Sequence, residues 1–284
     1  MQGKIVKNIS NLYDVLVGNT IYHAKARGKF KNMNITPLVG DEVKIDIEKN
    51  YIMEILPRYN CLDRPRVSNV DIALIITSCK EPNISLNLLD KEITSIVLNN
   101  IEPVIVFSKL DLLNPTEINT IETLKAYYQK IGYQVFYNTE MPLLKKYLAN
   151  KEIVVTGQTG SGKSTFINKL GNLNIETNEI SHALGRGKHT TRHAEIYHID
   201  NINIIDTPGF SSLDINKYTK KEIADSFIEF KSYSCRFKDC LHDKEIDCGV
   251  KEALNNNLIL RSRYDNYLAF LKEAQNESSR FIYK

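Results

Sequence analysis

The 284-residue sequence contains no apolar run approaching the roughly 20 residues needed to cross a bilayer, and no leader-like pattern opens it. A soluble, cytoplasmic protein without membrane attachment is the expectation. Cysteine is scarce, with five residues, an odd number, three of them between 235 and 248. That argues against a secreted disulfide framework. Charge of one sign is lacking too. Lysines and arginines number 37 against 34 acidic residues, a formal net of +3, so the total permits an anionic partner without demanding one. No internal repeat or low-complexity segment is evident. The length leaves room for about two or three modules with cores of their own.

The first of these has the rhythm of short strands: Lys4–Ile9, Leu12–Val17, Thr20–Arg27, Glu42–Glu48 and Tyr51–Leu56. Turn signals separate them at Gly18-Asn19, Pro37 to Asp41 and Lys49-Asn50. Closely spaced strands of this kind suggest a small barrel, with the oligonucleotide-binding (OB) fold as leading candidate. Lys25, Arg27, Lys29 and Lys31 alternate with Ala24, Ala26, Gly28 and Phe30. An extended chain puts all four cations on one side, a face suited to phosphates; a solvated strand or loop beside the barrel is the plainer reading. Pro57 to Ser68 reads as a connector.

Beyond it, strands rich in Ile and Val alternate with helices: strand Asp71–Thr77, helix Leu86–Asn99, strand Pro103–Phe107, helix Thr116–Ile131, strand Tyr133–Tyr137, helix Met141–Ala149 and strand Glu152–Thr156. That order implies a parallel sheet covered on both faces. Next comes Gly157-Gln158-Thr159-Gly160-Ser161-Gly162-Lys163-Ser164-Thr165, a phosphate-binding loop between a buried strand and a helix. Its glycines let backbone N–H groups turn inward around phosphate oxygens at a helix N-terminus. Lys163 is placed to reach the β- and γ-phosphates and Ser164 to hold Mg²⁺. Asp206-Thr-Pro-Gly209 ends an apolar strand, so Asp206 would support Mg²⁺ and the Gly209 N–H would meet the γ-phosphate. Between them, Gly185-Arg-Gly-Lys-His-Thr-Thr-Arg192 suits a switch loop. Either Thr190 or Thr191 could offer Mg²⁺ a hydroxyl, and Thr191, nearer the following strand, is favoured.

The segment able to read guanine, Ser108-Lys109-Leu110-Asp111, lies before the phosphate loop, although ordinary GTPases carry it after both other segments. If the three form one site, the domain is circularly permuted. Asp111 can accept from the guanine ring N–H and exocyclic amine, a donor pair adenine lacks, and Lys109 would pack along the base. Ser108 replaces the usual asparagine and so loses an amide that would brace the nucleotide. Asn138 is the choice for the remaining base-side loop. Phe210 stands where common GTPases carry a catalytic glutamine, so the group positioning water must come from elsewhere. His189 is the nearest competent candidate, a structural histidine being the alternative. Slow intrinsic hydrolysis, accelerated by a partner, follows. An ATP-dependent kinase or ATPase and a non-hydrolysing RNA-binding scaffold are rival readings.

After residue 219 the sequence reads as helices interrupted by Cys235-x₄-Cys240-x-His242-x₅-Cys248. Three thiolates and one imidazole, with no carboxylate, suit one closed structural Zn²⁺ site; reactive or accidental clustering is the alternative.

Taken together, these motifs resemble the small-ribosomal-subunit-dependent GTPase A family, RsgA, over essentially the whole chain. The resemblance implies a GTPase in late maturation of the small ribosomal subunit, which binds that subunit and its rRNA near the decoding region and is stimulated by it. GTP/GDP, Mg²⁺ and one structural Zn²⁺ are the implied cofactors. Lys163, His189 and Thr191 take the catalytic roles, the family's proposed catalytic histidine falling on His189. The expected architecture is multi-domain: an OB-fold β-barrel at 1–62, an α/β circularly permuted P-loop GTPase domain at 63–215 and a helical zinc-binding domain at 216–284. A monomer is expected, with other assembly factors as further partners.

Overall fold

A computed structural model describes residues 1–63, 66–171, 195–206 and 214–274. The N-terminal strands are β1 (Gln2–Ile9), β2 (Leu12–Val17), β3 (Thr20–Ala26), β4 (Glu42–Asp46) and β5 (Tyr51–Ile55). Their alternation turns Ile5, Tyr13, Val15, Ala24, Val43, Ile45 and Ile52 inward. Pairing runs β1-β2-β3-β5-β4, and β4 returns to β1, so the sheet closes on itself as an OB-like barrel. The β3–β5 pair is parallel and the others are antiparallel.

The cation row does not persist as an extended face. β3 stops at Ala26, and Gly28–Asn32 forms a single helical turn, α1. The reason is Phe30, which drops into the barrel core while Arg27 O accepts from its N–H at 3.1 Å. Lys25, Arg27 and Lys29 are exposed, but the turn breaks their alternation. The connector is also more ordered than its composition suggests. Asp41, fully buried, receives Arg58 Nε at 2.6 Å and Nη2 at 2.7 Å, and the Ser68 hydroxyl at 2.6 Å. A short hairpin follows, β6 (Cys61–Asp63) with β7 (Arg66–Ser68).

The central module contains β8 (Ile72–Ser78), α2 (Leu86–Leu98), β9 (Glu102–Ser108), α3 (Pro115–Lys130), β10 (Gln134–Tyr137), α4 (Met141–Leu148), β11 (Glu152–Thr156), α5 (Lys163–Gly171), β12 (Glu195–Ile199) and β13 (Ile202–Asp206). Every residue of β8 is buried, as a strand covered on both faces requires. Helices begin where the sequence supplies caps. Ser85 accepts from Leu88 N, and Asn114 and Glu117 form a reciprocal capping box before Pro115. Leu89, Ile93 and Ile96 of α2 pack with α3 on one face. Leu144, Leu148, Phe166 and Leu170 of α4 and α5 cover the other. Strand order is β10-β9-β8-β11-β13-β12, parallel except for β12. β11 therefore sits in the middle, although β8, β9 and β10 precede it in the chain. The C-terminal ends of all five parallel strands open at one edge, where α/β sheets place ligands.

β1 also pairs with β12, Lys7 opposite Glu195, which joins barrel and central sheet into eleven continuous strands. Lys7 Nζ lies 2.9 Å from Glu195 Oε2, and Lys4 Nζ lies 2.7 Å from Glu152 Oε1.

The C-terminal module holds α6 (Lys220–Ser226), a 3₁₀ segment (Ile228–Ser232), α7 (Gly249–Asn255) and α8 (Arg261–Glu273). Thr219 and Glu222 form the capping box of α6. Phe227, Phe230, Tyr267 and Phe270 make a small aromatic core, and α8 lies against α2.

Candidate nucleotide site and cysteine–histidine centre

The loop Gly157–Lys163 leaves the end of β11 at the centre of the sheet. Gly157 has φ +130°, and a Cβ there would stand 2.2 Å from the Ile76 carbonyl, so no side chain fits. The backbone is thereby pressed against β8 and free to curl toward solvent. Gln158 O accepts from Ser161 N at 3.2 Å, and Gly162 O accepts from Phe166 N at 2.8 Å, which starts α5. Lys163 folds back across the loop, donating to Gly157 O at 2.5 Å and Gln158 O at 2.8 Å. Ser164 and Thr165 occupy the first turn of α5, while Thr159 and Gly160 are exposed at the loop tip.

Ser108 ends β9 beside this loop. Its buried hydroxyl donates to Ser161 O at 2.7 Å, so the Ser108–Asp111 segment is tied directly to the loop Gly157–Lys163. The serine thus braces the loop itself. Lys109 adopts φ +61° and its ammonium bonds the Glu81 carbonyl, and exposed Asp111 sits in a short 3₁₀ turn, Leu110–Leu112. Asn138 follows β10, its N–H donating to Phe107 O at 2.9 Å. Glu140 stiffens that loop by accepting from Tyr137 N and Lys125 Nζ, both at 2.6 Å. The fold brings Ser108, Lys109, Asp111, Asn138 and Gly157–Thr165 to one sheet edge. Asp206 ends β13 at that edge, but its side chain, together with His189, Thr191 and Gly209, lies outside the described residues.

One residue escaped the sequence reading. Glu92 on α2 is 4% exposed and accepts from the Thr156 hydroxyl at 3.0 Å, one residue before Gly157. Burial raises its carboxyl to about 7, against the lowering effects of that bond and of Lys163. The signal was available. Leu89, Glu92, Ile93 and Ile96 have i, i+3, i+4, i+7 spacing, which puts a carboxylate on the apolar stripe.

Cys235, Cys240, His242 and Cys248 converge, their ligand atoms all within 4.8 Å of one another. Cys235 Sγ lies 3.8 Å from Cys248 Sγ, and His242 Nδ1 lies 3.4 Å from both. A disulfide needs sulfurs about 2.05 Å apart. Around a tetrahedral ion with metal–sulfur bonds of ~2.3 Å, ligand atoms stand ~3.8 Å apart. The donor set and its spacing therefore fit a four-coordinate metal. The N–H of His242, at φ +56°, donates to Cys240 Sγ at 3.4 Å, and Tyr264 OH donates to His242 O at 2.5 Å. This clamps the ligand loop onto α8.

The sequence model of the RsgA GTPase matches residues 55–216, and that of the RsgA N-terminal domain matches residues 2–52. The chain belongs to the RsgA GTPase family. The small ribosomal subunit biogenesis GTPase RsgA of Limosilactobacillus fermentum is 42% identical over 98% of each chain. The RsgA protein of Streptococcus agalactiae is 44% identical, covering all of this chain and 98% of its own. Among solved structures, YjeQ from Thermotoga maritima superposes with TM-score 0.82 at 32% identity, over 96% of this chain and 97% of that one. YloQ, a circularly permuted GTPase, gives 0.80 at 32% identity over 96% and 94%. RsgA membership accounts for the motif order and makes the chain a GTP-hydrolysing enzyme of permuted fold.

Proposed function

We propose that this RsgA-family GTPase acts in late maturation of the small ribosomal subunit, binding rRNA and hydrolysing GTP to GDP and phosphate when the subunit orders its switch loop. One observation carries the assignment of the site. The phosphate loop and the Ser108–Asp111 segment, far apart in the chain, meet through the Ser108–Ser161 hydrogen bond at the ligand-binding edge of the sheet. That arrangement supports GTP as the ligand, with Asp111 reading the base and Asn138 flanking it. Gly157–Thr165 cradle the phosphates, and Lys163 exchanges its loop carbonyls for β- and γ-phosphate oxygens. Ser164, Thr191 and Asp206 would hold Mg²⁺, which neutralises charge between those phosphates. Gly209 meets the γ-phosphate, and His189 positions the attacking water.

Cys235, Cys240, His242 and Cys248 hold one structural Zn²⁺, which organises a module with a small core. The barrel supplies the rRNA-facing surface, and the relatives' names support the small subunit as partner. We infer modules at 1–62, 63–215 and 216–284, supported by family matches over 2–52 and 55–216. The protein works as a cytoplasmic monomer, alongside other assembly factors.

Turnover of GTP, measured with and without purified small subunits, tests the reading. Subunits should raise the rate, Lys163→Ala should abolish it, and His189→Ala should remove the stimulation while GTP still binds. Equal turnover by free protein and subunit complex would sink it.

A further inference from the structure

We propose that Glu92 is a positioning residue of the GTP site, which sets the root of the phosphate loop through Thr156, and that helix α2 passes the seating of the C-terminal module to it. The proposal rests on the reading of Gly157–Ser164 as the GTP site.

Two residues on an α-helix two positions apart point about 200° apart around its axis. On α2 those residues are Asp90 and Glu92, both buried, at 0% and 4% exposure. Glu92 faces the sheet, where its Oε1 holds the Thr156 hydroxyl at 3.0 Å. Thr156 is the last residue of β11, and Gly157 after it is already pressed against Ile76 O, so a shift of Thr156 moves the first turn of the loop. A cavity of about 10 Å³ lies between Glu92, Ser78, Ser85 and Gln158, so the carboxylate side of α2 borders the loop itself.

Asp90 faces the other way. Its Oδ1 receives Arg263 Nη1 at 2.6 Å and Tyr128 OH at 2.7 Å, and its Oδ2 receives Asn266 Nδ2 at 2.7 Å. Arg263 is 1% exposed, bonds both carboxylate oxygens of Glu229, and lies 3.3 Å from Tyr133 OH. Asn87 and Lys91, on the same side of α2, bond Asn266 at 2.9 Å and Glu273 at 2.6 Å. The helix is thus fixed to the C-terminal module along one face and, by one carboxylate on the other, to the end of β11 that leads into the phosphate loop. A buried carboxylate bonded to a single hydroxyl weakens a core that an apolar residue would fill better. Its position against Thr156 gives it a use that packing alone does not.

The test is affinity for a fluorescent GTP analogue on the full chain, with thermal unfolding read in parallel. Thr156→Val keeps the shape but removes the hydroxyl, and should weaken binding by up to about tenfold, one hydrogen bond's worth. Thr156→Ser should restore it. Glu92→Gln, still able to accept from Thr156, should stay within about twofold. Asn266→Ala, which loosens Asp90 without stranding Arg263, should weaken binding about threefold in the parent and not further in Thr156→Val, because contacts in one network are not additive. Parental affinity in Thr156→Val, or effects of the two substitutions that simply multiply, overturns the proposal. Lys163→Ala separates the two levels. If it too binds GTP normally, the reading of the site fails; if it alone loses GTP, only the role of Glu92 and α2 fails.

Discussion

Ser108 donates its hydroxyl to the carbonyl of Ser161 at 2.7 Å, so the end of β9 holds the phosphate loop from the side. Ser108→Ala leaves that buried carbonyl short of a donor. It is expected to lower stability by about 1 kcal/mol and GTP affinity by up to about fivefold. Urea unfolding and nucleotide titration, run on the same preparation, check both. Unchanged values for each would show that the bond braces nothing.

Arg263→Met removes the cation shared by Asp90 and Glu229 and leaves two buried carboxylates, 0% and 4% exposed, without their counter-charge between α2 and the C-terminal module. A loss of about 3–5 kcal/mol in unfolding free energy is expected. Replacing all three charges by apolar residues should recover most of it. A mild single-site effect would mean that water reaches the cluster.

The buried carboxyl of Glu92 is raised by desolvation to about 7, whereas a glutamate in an unfolded chain titrates near ~4.3. Between those values the folded protein keeps a proton that the unfolded chain has released, so stability falls as pH rises through this window. The loss is complete above about pH 7 and on the order of 4 kcal/mol. Glu92→Gln should flatten this part of the stability profile and make the protein more stable than its parent at pH 8. Denaturant unfolding at pH 5, 6, 7 and 8 decides it, and parallel profiles for the two proteins would contradict a raised carboxyl.

The cysteine–histidine centre should bind one Zn²⁺ per chain, released by chelator and counted by a colorimetric zinc assay. Cys248→Ser should lose the metal and unfold the C-terminal module first, since metal binding and folding of such a site are coupled. A fully folded module in metal-free protein would leave the four ligands without a structural role.

The parts legible in the sequence are those written locally. Gly157–Ser164 declares itself through glycine spacing, and Cys235–Cys248 through ligand spacing, because each depends on neighbours in the chain. The strands of the barrel and sheet follow from Ile and Val patterning, with ends that shift by a residue or two, while caps such as Ser85 and Asn114 set where the helices begin. Lys25 to Lys31 misled because alternation looked extended, while burial of Phe30 made a helical turn more favourable. Arg263 and Asp90 were invisible because a charged residue on a helix reads as solvent-facing until its partner, 173 residues away, is known. Glu92 was hidden the same way, although its place in an apolar stripe could have betrayed it.

The pairing of β1 with β12 also bears on solubility. A strand edge with unpaired N–H and C=O groups invites another chain to add to it. β12 would be the outer edge of the GTPase sheet, and β1 of the barrel pairs with it at Lys7 and Glu195. The barrel therefore acts as an edge guard for the catalytic sheet as well as a module of its own. A GTPase domain cut away from it would present the whole length of β12 as an unpaired, adhesive border.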